Sequence, residues 1–307
     1  MQEFTFRDFP RDFYSLFLLV NEEPRIAFSD MAKRLKVDNR TASSWWKLAI
    51  ENRIIYPPIF RRKSFLNFKE YIYYLNIKDP SLLSEKFEES EIVSYYSVHT
   101  GFANFHVVSK SPMDFENVIL GGERSDYFVS TPPDWKFEKS IKVMREKLES
   151  LDQIEEYASP LIYHDTEYLP WDEKDEVLYW ILKDNMRKPF SPIIKKYKIH
   201  SDKIMKWIRR QNEFGNTYTM YYPKGEETYL TCVYAFITDH DSLIIDLFSQ
   251  LPTPSVFYRL CNRLVMTIYV PFPYTARTFV RKVLGTLQKE NLVEDYSNSI
   301  MEYSFRP

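Results

Sequence analysis

The sequence predicts an α+β chain in which two winged-helix or helix-turn-helix units alternate with two sheet domains of βαββαβ order. Three observations carry the prediction. The chain repeats itself once; each half reads as helices followed by strands; and each half sets a short helix, a tight turn and a longer helix in succession. The repeat shows as Phe28-Ser29 against Phe190-Ser191, a shift of 162. At that shift Arg34 meets Lys196, Val37 meets Ile199, Trp45 meets Trp207, Lys47 meets Arg209 and Tyr56 meets Tyr218. Further on, Ser81, Leu82 and Phe87 match Ser242, Leu243 and Phe248 at a shift of 161. The matches are collinear and fall on apolar and basic positions, as an ancient duplication leaves them.

In the first half, residues 11–20 make an apolar helix that Asn21 to Pro24 bring to an end. Residues 28–35 form a short second helix, 36–38 a turn and 39–52 a third helix. Asp38 is its expected N-cap, because a carboxylate there accepts from the free amides of the first turn. Ala42, Trp46 and Ala49 recur at i, i+4 and i+7 and define a buried stripe. Strands follow at 68–77, 91–97, 103–109 and 124–131, with a helix at 80–88 and the stub of another at 111–117. Residues 136–151 read as an amphipathic helix and 152–170 as an acidic, Pro-containing linker. In the second half, helices at 172–184, 190–197 and 201–212 precede a strand at 229–237 and a helix at 241–250. Strands at 255–260 and 263–270, a helix at 274–290 and a strand near 299–305 complete a βαββαβ unit. The expected domains are therefore 1–66 and 171–226 (helix-turn-helix), 67–132 and 227–307 (sheet), and 133–170 (helix and linker).

Charge is distributed unevenly. The whole chain of 307 residues carries −2, yet residues 33–63 balance to +7 and residues 187–210 to +8, leaving −17 for the remainder. Positive charge concentrated on both helix-turn-helix units is the footprint expected of a nucleic-acid binder. With Ala42, Trp46 and Ala49 inward, Arg40, Ser43, Ser44 and Lys47 face outward. With Ile204 and Ile208 inward, Lys203, Lys206, Arg209 and Arg210 do. Arg61, Arg62 and Lys63, just beyond the third helix, suit phosphate contacts from a wing-like strand pair. These eleven residues are the expected DNA-binding set.

Other chemistries find little support in the residues. Cys232 and Cys261 are far apart and read as two buried, reduced thiols. Histidines 99, 106, 164, 200 and 240 are scattered with no second His or Cys at i+3 or i+4, so no metal site and no cofactor is expected. With six glycines in all, there is little room for a Gly-rich phosphate loop. Trp45, Trp46 and Trp207 read as core. The N-terminus shows no secretory signal and no stretch is long and apolar enough for a membrane span, so a cytoplasmic protein is expected.

A helix-turn-helix followed by a βαββαβ, ferredoxin-like domain resembles the Lrp/AsnC (feast/famine) family of transcription regulators. Leu35, Val37, Thr41, Ala42 and Ile55 fall at that family's small and apolar positions, Gly215 at its helix-ending glycine, and Val98-His99-Thr100-Gly101 at its T-G turn. Two places depart from the pattern: Arg53 replaces the glycine in the first copy, and Cys261-Asn262-Arg263 replaces T-G in the second. The resemblance implies a sequence-specific regulator of double-stranded DNA, not an enzyme. Its two recognition helices would lie in major grooves, and its sheet domains would dimerise and take a small-molecule effector. In a tandem chain the two sheets would pack against each other as an internal pseudo-dimer; a homodimer is the other arrangement. Two further readings stand beside this one. Some fused two-unit relatives of the family resemble siroheme decarboxylases, which hold a tetrapyrrole in the sheet domains. Residues 87–109, with no Lys or Arg and only His99 and His106, speak against that. The other is a protein-binding adaptor.

Overall fold

The computed structural model describes residues 13–151, 155–271 and 275–306. The first twelve residues, on which the expectation about a secretory signal rests, lie outside them, as do the first two residues of the 11–20 helix and the start of the 274–290 helix. The first half runs α1 (Phe13–Glu22), α2 (Phe28–Leu35), α3 (Asn39–Glu51), β1 (Ile59–Arg62), β2 (Tyr71–Leu75), α4 (Pro80–Phe87), β3 (Val93–Gly101), β4 (Phe105–Ser109), β5 (Val118–Glu123), β6 (Phe128–Val129) and α5 (Phe137–Glu149). The second runs α6 (Glu173–Leu182), α7 (Phe190–Tyr197), α8 (Ser201–Arg209), α9 (Gln211–Phe214), β7 (Gly215–Tyr218), β8 (Tyr229–Ile237), α10 (Asp241–Phe248), β9 (Val256–Leu260), β10 (Arg263–Pro271), α11 (Thr275–Lys289) and β11 (Asp295–Phe305).

The halves do not fold one after the other. One compact unit takes the described residues up to Arg61 together with Trp171–Glu227, and so holds both helix-turn-helix segments. The other takes Arg62–Pro170 and the described residues from Thr228 onward, and so holds both sheet segments.

In the helical unit the repeat is visible atom by atom. Lys36 and Lys198, 162 residues apart, end α2 and α7 in the same left-handed conformation, at φ 56° and 54°. Asp38 caps α3, accepting from the Thr41 amide at 2.8 Å. Arg25 donates to the carbonyls of Met186 and Lys188, while its repeat equivalent Arg187 donates to those of Pro24 and Ile26. Each guanidinium also lies over the other copy's aromatic ring, Arg25 over Phe190 and Arg187 over Phe28. The two copies are thus locked by a pseudo-two-fold exchange of side chains. β1 pairs with β7 rather than with a strand of its own copy. A side chain on Gly215 would sit 2.2 Å from the Phe60 ring, so glycine is needed there for close approach rather than for a left-handed turn.

In the sheet unit the strands form a nine-stranded sheet in the order β5-β2-β4-β3-β11-β8-β10-β9-β6. The two βαββαβ-like segments join edge to edge through the antiparallel pair β3–β11. The sheet also curls until its ends meet: Arg124 bridges to Leu260, β6 pairs with β9, and the Cys261 thiol donates to the Gly121 carbonyl at 3.1 Å. Cys261 is therefore exposed and engaged at this seam, a correction to the expectation of two buried thiols; Cys232 is buried. The outer face packs α5, α10 and α11 on Phe236, Met266 and Ile268, and α4 on Tyr96, Phe105 and Val107. The inner faces of both halves meet across the interior through Ile72, Tyr74, Val108, Val233, Ala235, Tyr258 and Val265.

Two sequence expectations change here. Of the strand expected at 124–131 only Phe128–Val129 (β6) is strand, and a longer one, β5 (Val118–Glu123), precedes it, because Gly121-Gly122 does not end a strand but lies inside one. A Cβ on Gly121 would come 2.6 Å from the Tyr73 ring, and Gly122 has φ +153°. Residues 111–117 run as a loop, not a helical stub.

Candidate active site

Strand alternation decides which side chains share the curled sheet's interior. Tyr74 on β2 stands opposite His106 on β4, and His106 stands opposite Ser97 on β3. His99, two residues beyond Ser97, points the same way, and β11 brings Ser299 beside it. The result is an unbroken polar row. Ser97 Oγ lies 2.8 Å from His99 Nε2 and 3.1 Å from His106 Nδ1, and His99 Nδ1 lies 3.1 Å from Ser299 Oγ. His106 stacks on Tyr74 at 4.6 Å between centroids, and the Tyr74 hydroxyl meets that of Tyr258, from the other half of the repeat, at 2.7 Å.

All of these groups are buried, His99 at 3% and His106 at 8% exposure. Burial pushes the His99 imidazole down to about 4. His106 is held well below its ordinary value, by burial first and by the neighbouring His99 second. Both rings are therefore neutral near pH 7. Burial raises the Tyr74 and Tyr258 phenols far above their ordinary value, so they stay protonated and act as hydrogen-bond partners only. His106 Nε2 has no hydrogen-bond partner among the described residues. Beside this row the inner face is half-buried, at Tyr95, whose hydroxyl approaches Met301 Sδ at 3.7 Å, and at Thr231, Thr267 and Tyr269. Arg263 lies on the same face as Leu260 and Val265. Its Nη1 is buried without a hydrogen bond and stands 3.9 Å from Asp295. Two neutral imidazoles in an apolar enclosure, with the Arg263 guanidinium on the same face, are equipped to bind a carboxylate and to pass on a proton.

The row was within reach of the sequence only in part. His99 and His106 are separated by seven residues, which excludes a helical pairing. The T-G turn between them is the signal that could have joined them: it makes 93–109 a hairpin and puts Ser97 across from His106. Among the described residues no group of three His, Cys, Asp or Glu is placed to hold a metal ion.

The expected DNA-binding residues are dispersed in their environments. Arg40, Ser43, Ser44, Lys206 and Arg209 are exposed, and Lys63 is half-buried. Lys47 pairs with Glu51 at 3.7 Å, Arg61 with Asp184 at 3.1 Å, and Arg210 with Glu213 at 2.7 Å. Lys203 sits between Asp172 and Asp175. Arg62 is buried and lies over the Phe68 ring at 3.3 Å, an internal contact rather than a place on a wing. The acids that meet these bases explain why local charge misleads: Asp172, Asp175, Asp184, Glu213 and also Glu22, which pairs with Arg34, all lie just outside the two basic windows. Folding brings them in, so a window's net charge is not the charge of the surface it forms.

No protein-family model matches the chain, and no curated protein matches it in sequence. Two solved structures match it in fold. The crystal structure of the siroheme decarboxylase NirDL superposes with a TM-score of 0.53 at 12% identity, over 96% of this chain and 92% of that one. The same enzyme in co-complex with an iron-uroporphyrin III analogue gives 0.51 at 12% identity, over 95% and 92%. The likeness is one of fold, end to end, and it supports the duplicated architecture and, loosely, a relationship to the Lrp/AsnC type. It overturns the expectation of a non-enzymatic DNA-binding regulator: both solved structures that match the fold are of an enzyme, the siroheme decarboxylase NirDL.

Proposed function

We propose that the inner face of the curled sheet is the active site of an enzyme that removes CO2 from a carboxylate side chain of a tetrapyrrole of the siroheme type. The observation that carries this reading is the His99–Ser97–His106 row, two neutral imidazoles buried where the two halves meet, in a chain whose fold is similar over 96% of its length to that of a siroheme decarboxylase. Decarboxylation of an acetate substituent asks two things of a protein. One is low-polarity surroundings, which favour a neutral departing CO2 over a charged carboxylate. The other is a proton for the carbon left behind. The carbon–carbon bond breaks, its electron pair stays on the methylene carbon attached to the ring, and a proton from His106 Nε2 turns that carbon into a methyl group as CO2 leaves.

A neutral imidazole that gave up its single N–H would be left as an imidazolate. The substrate carboxylate raises the imidazole pKa, so that on binding His106 takes up a second proton from solvent and returns to neutral when its Nε2 proton passes to carbon. Arg263 is the guanidinium for a second carboxylate of the macrocycle, and Tyr95 and Met301 offer a flat apolar edge. The test is incubation of the full chain with siroheme and mass analysis of the pigment. The expected product is lighter by CO2, and His106→Ala lowers turnover by about 100-fold or more while iron-uroporphyrin III still shifts its absorption on binding. A pigment of unchanged mass, with no absorption shift, would dismiss the reading.

A further inference from the structure

The Ser97 hydroxyl has one proton and two imidazole neighbours, His99 Nε2 and His106 Nδ1. Each imidazole, being neutral, carries one N–H and one lone pair. Suppose Ser97 donates to His106 Nδ1. His106 then holds its own proton on Nε2, Ser97 Oγ accepts from His99 Nε2–H, and His99 Nδ1 accepts from the Ser299 hydroxyl. Suppose instead that Ser97 donates to His99 Nε2. Every bond reverses: His99 Nδ1–H donates to Ser299, His106 Nδ1–H donates to Ser97, and His106 Nε2 is bare. In a mixed arrangement either both rings donate to Ser97 and its own proton has no partner, or both rings accept and one of them faces a lone pair; each leaves a buried polar group unpaired, which costs free energy. The row has two satisfied states, and the two rings change tautomer together.

We infer that Ser97 is a positioning residue that couples the tautomers of the neutral His99 and His106, so that His106 Nε2 is bare, and open to a proton from solvent, only when His99 carries its proton on Nδ1. Ser299 extends the coupling, and its place depends on Gly101. A Cβ at residue 101 would lie 2.9 Å from Ser299 Cβ and 2.4 Å from the Asn298 carbonyl, so the close approach of β11 to β3 needs a glycine there. The inference rests on the proposed decarboxylase site for its use, since His106 Nε2 is the atom that would take up the proton which that site gives to substrate. It does not rest on it for its physics, which follows from the hydroxyl's single proton.

The test is nitrogen NMR of the full chain with labelled histidine, alongside siroheme turnover. His99 and His106 are expected in the same tautomer in the parent chain. In Ser97→Ala the two rings titrate between tautomers independently, and kcat for siroheme falls about tenfold with KM and iron-uroporphyrin III binding unchanged. Ser97→Thr, which keeps the hydroxyl, restores both the coupling and the rate. Opposite tautomers at His99 and His106 in the parent chain, or an unchanged tautomer pattern in Ser97→Ala, would overturn the inference. A chain that leaves siroheme unaltered but loses its coupled tautomers in Ser97→Ala would sink the decarboxylase reading while leaving the coupling in place.

Discussion

At the scale of single residues, the buried hydroxyl pair Tyr74–Tyr258 tells most about how the interior is held. Each phenol is the other's partner inside an apolar face made by Ile72, Val108, Val233 and Val265. Removing one hydroxyl leaves the other buried and unpaired, so Tyr74→Phe is expected to cost about 1–3 kcal/mol. Removing both takes away the demand along with the bond, so Tyr74→Phe with Tyr258→Phe is expected to lie closer to the parent than either single variant. A double-mutant cycle in urea measures this; additive losses would show that the two hydroxyls act apart. The same logic explains the unlike fates of the histidines. His99 and His106 find neutral hydroxyl partners and are held uncharged, whereas His164 finds carboxylates.

At the scale of elements, His164 holds the stretch 64–69 to the segment 161–169. Its ring donates toward Asp126 and Glu167, both at 2.8 Å, and its backbone amide donates to the Ser64 carbonyl at 3.0 Å. Lys69 adds an ion pair to Asp165 at 2.6 Å. Burial by itself would lower the His164 pKa, but the hydrogen bonds and charges of Glu167 and Asp126 together outweigh it, and the value is raised. A raised folded-state pKa stabilises the fold fully below the unfolded value, near about pH 6.5, and that stabilisation is lost as pH climbs through the folded value. The stability gap between the parent and His164→Gln should therefore be widest below about pH 6.5 and shrink as pH rises through the raised folded-state value. A gap constant with pH would show that the clasp works without charge. The acidic composition of 152–170 was plain in the sequence. That one of its acids, Asp165, serves as a partner for Lys69 was not, because Lys69 lies 96 residues away along the chain.

At the scale of the whole molecule, each compact unit is assembled from both halves of the repeat, so neither half should stand alone. A fragment ending at residue 170 keeps β3 but loses β11, its pairing partner, and loses Tyr258 from the interior. It also loses Arg187 and Phe190, which answer Arg25 and Phe28. An open, apolar sheet edge invites pairing with another copy. The fragment is expected to associate or aggregate in size-exclusion chromatography; a stable, folded monomer with native circular dichroism would contradict the shared-unit architecture.

The sequence by itself determined what depends on near neighbours. The helices α2, α3 and α7 could be read almost to the residue, since their caps, turns and apolar stripes are written within a few positions of one another. The hairpin around Gly101 could be read for the same reason, and the repeat because each copy carries the same local pattern 162 residues on. Tertiary structure alone decided what depends on distant ones. The two sheets join through β3–β11 and curl into a common interior. Ser299 comes to His99 and Tyr258 to Tyr74 from across the duplication. The basic helices meet acids from outside their own windows. Charge and hydrogen bonding act over a few ångströms of space rather than a few places in sequence. The chain's most conspicuous charges therefore pointed to DNA, while its two buried imidazoles, silent in composition, form the candidate site.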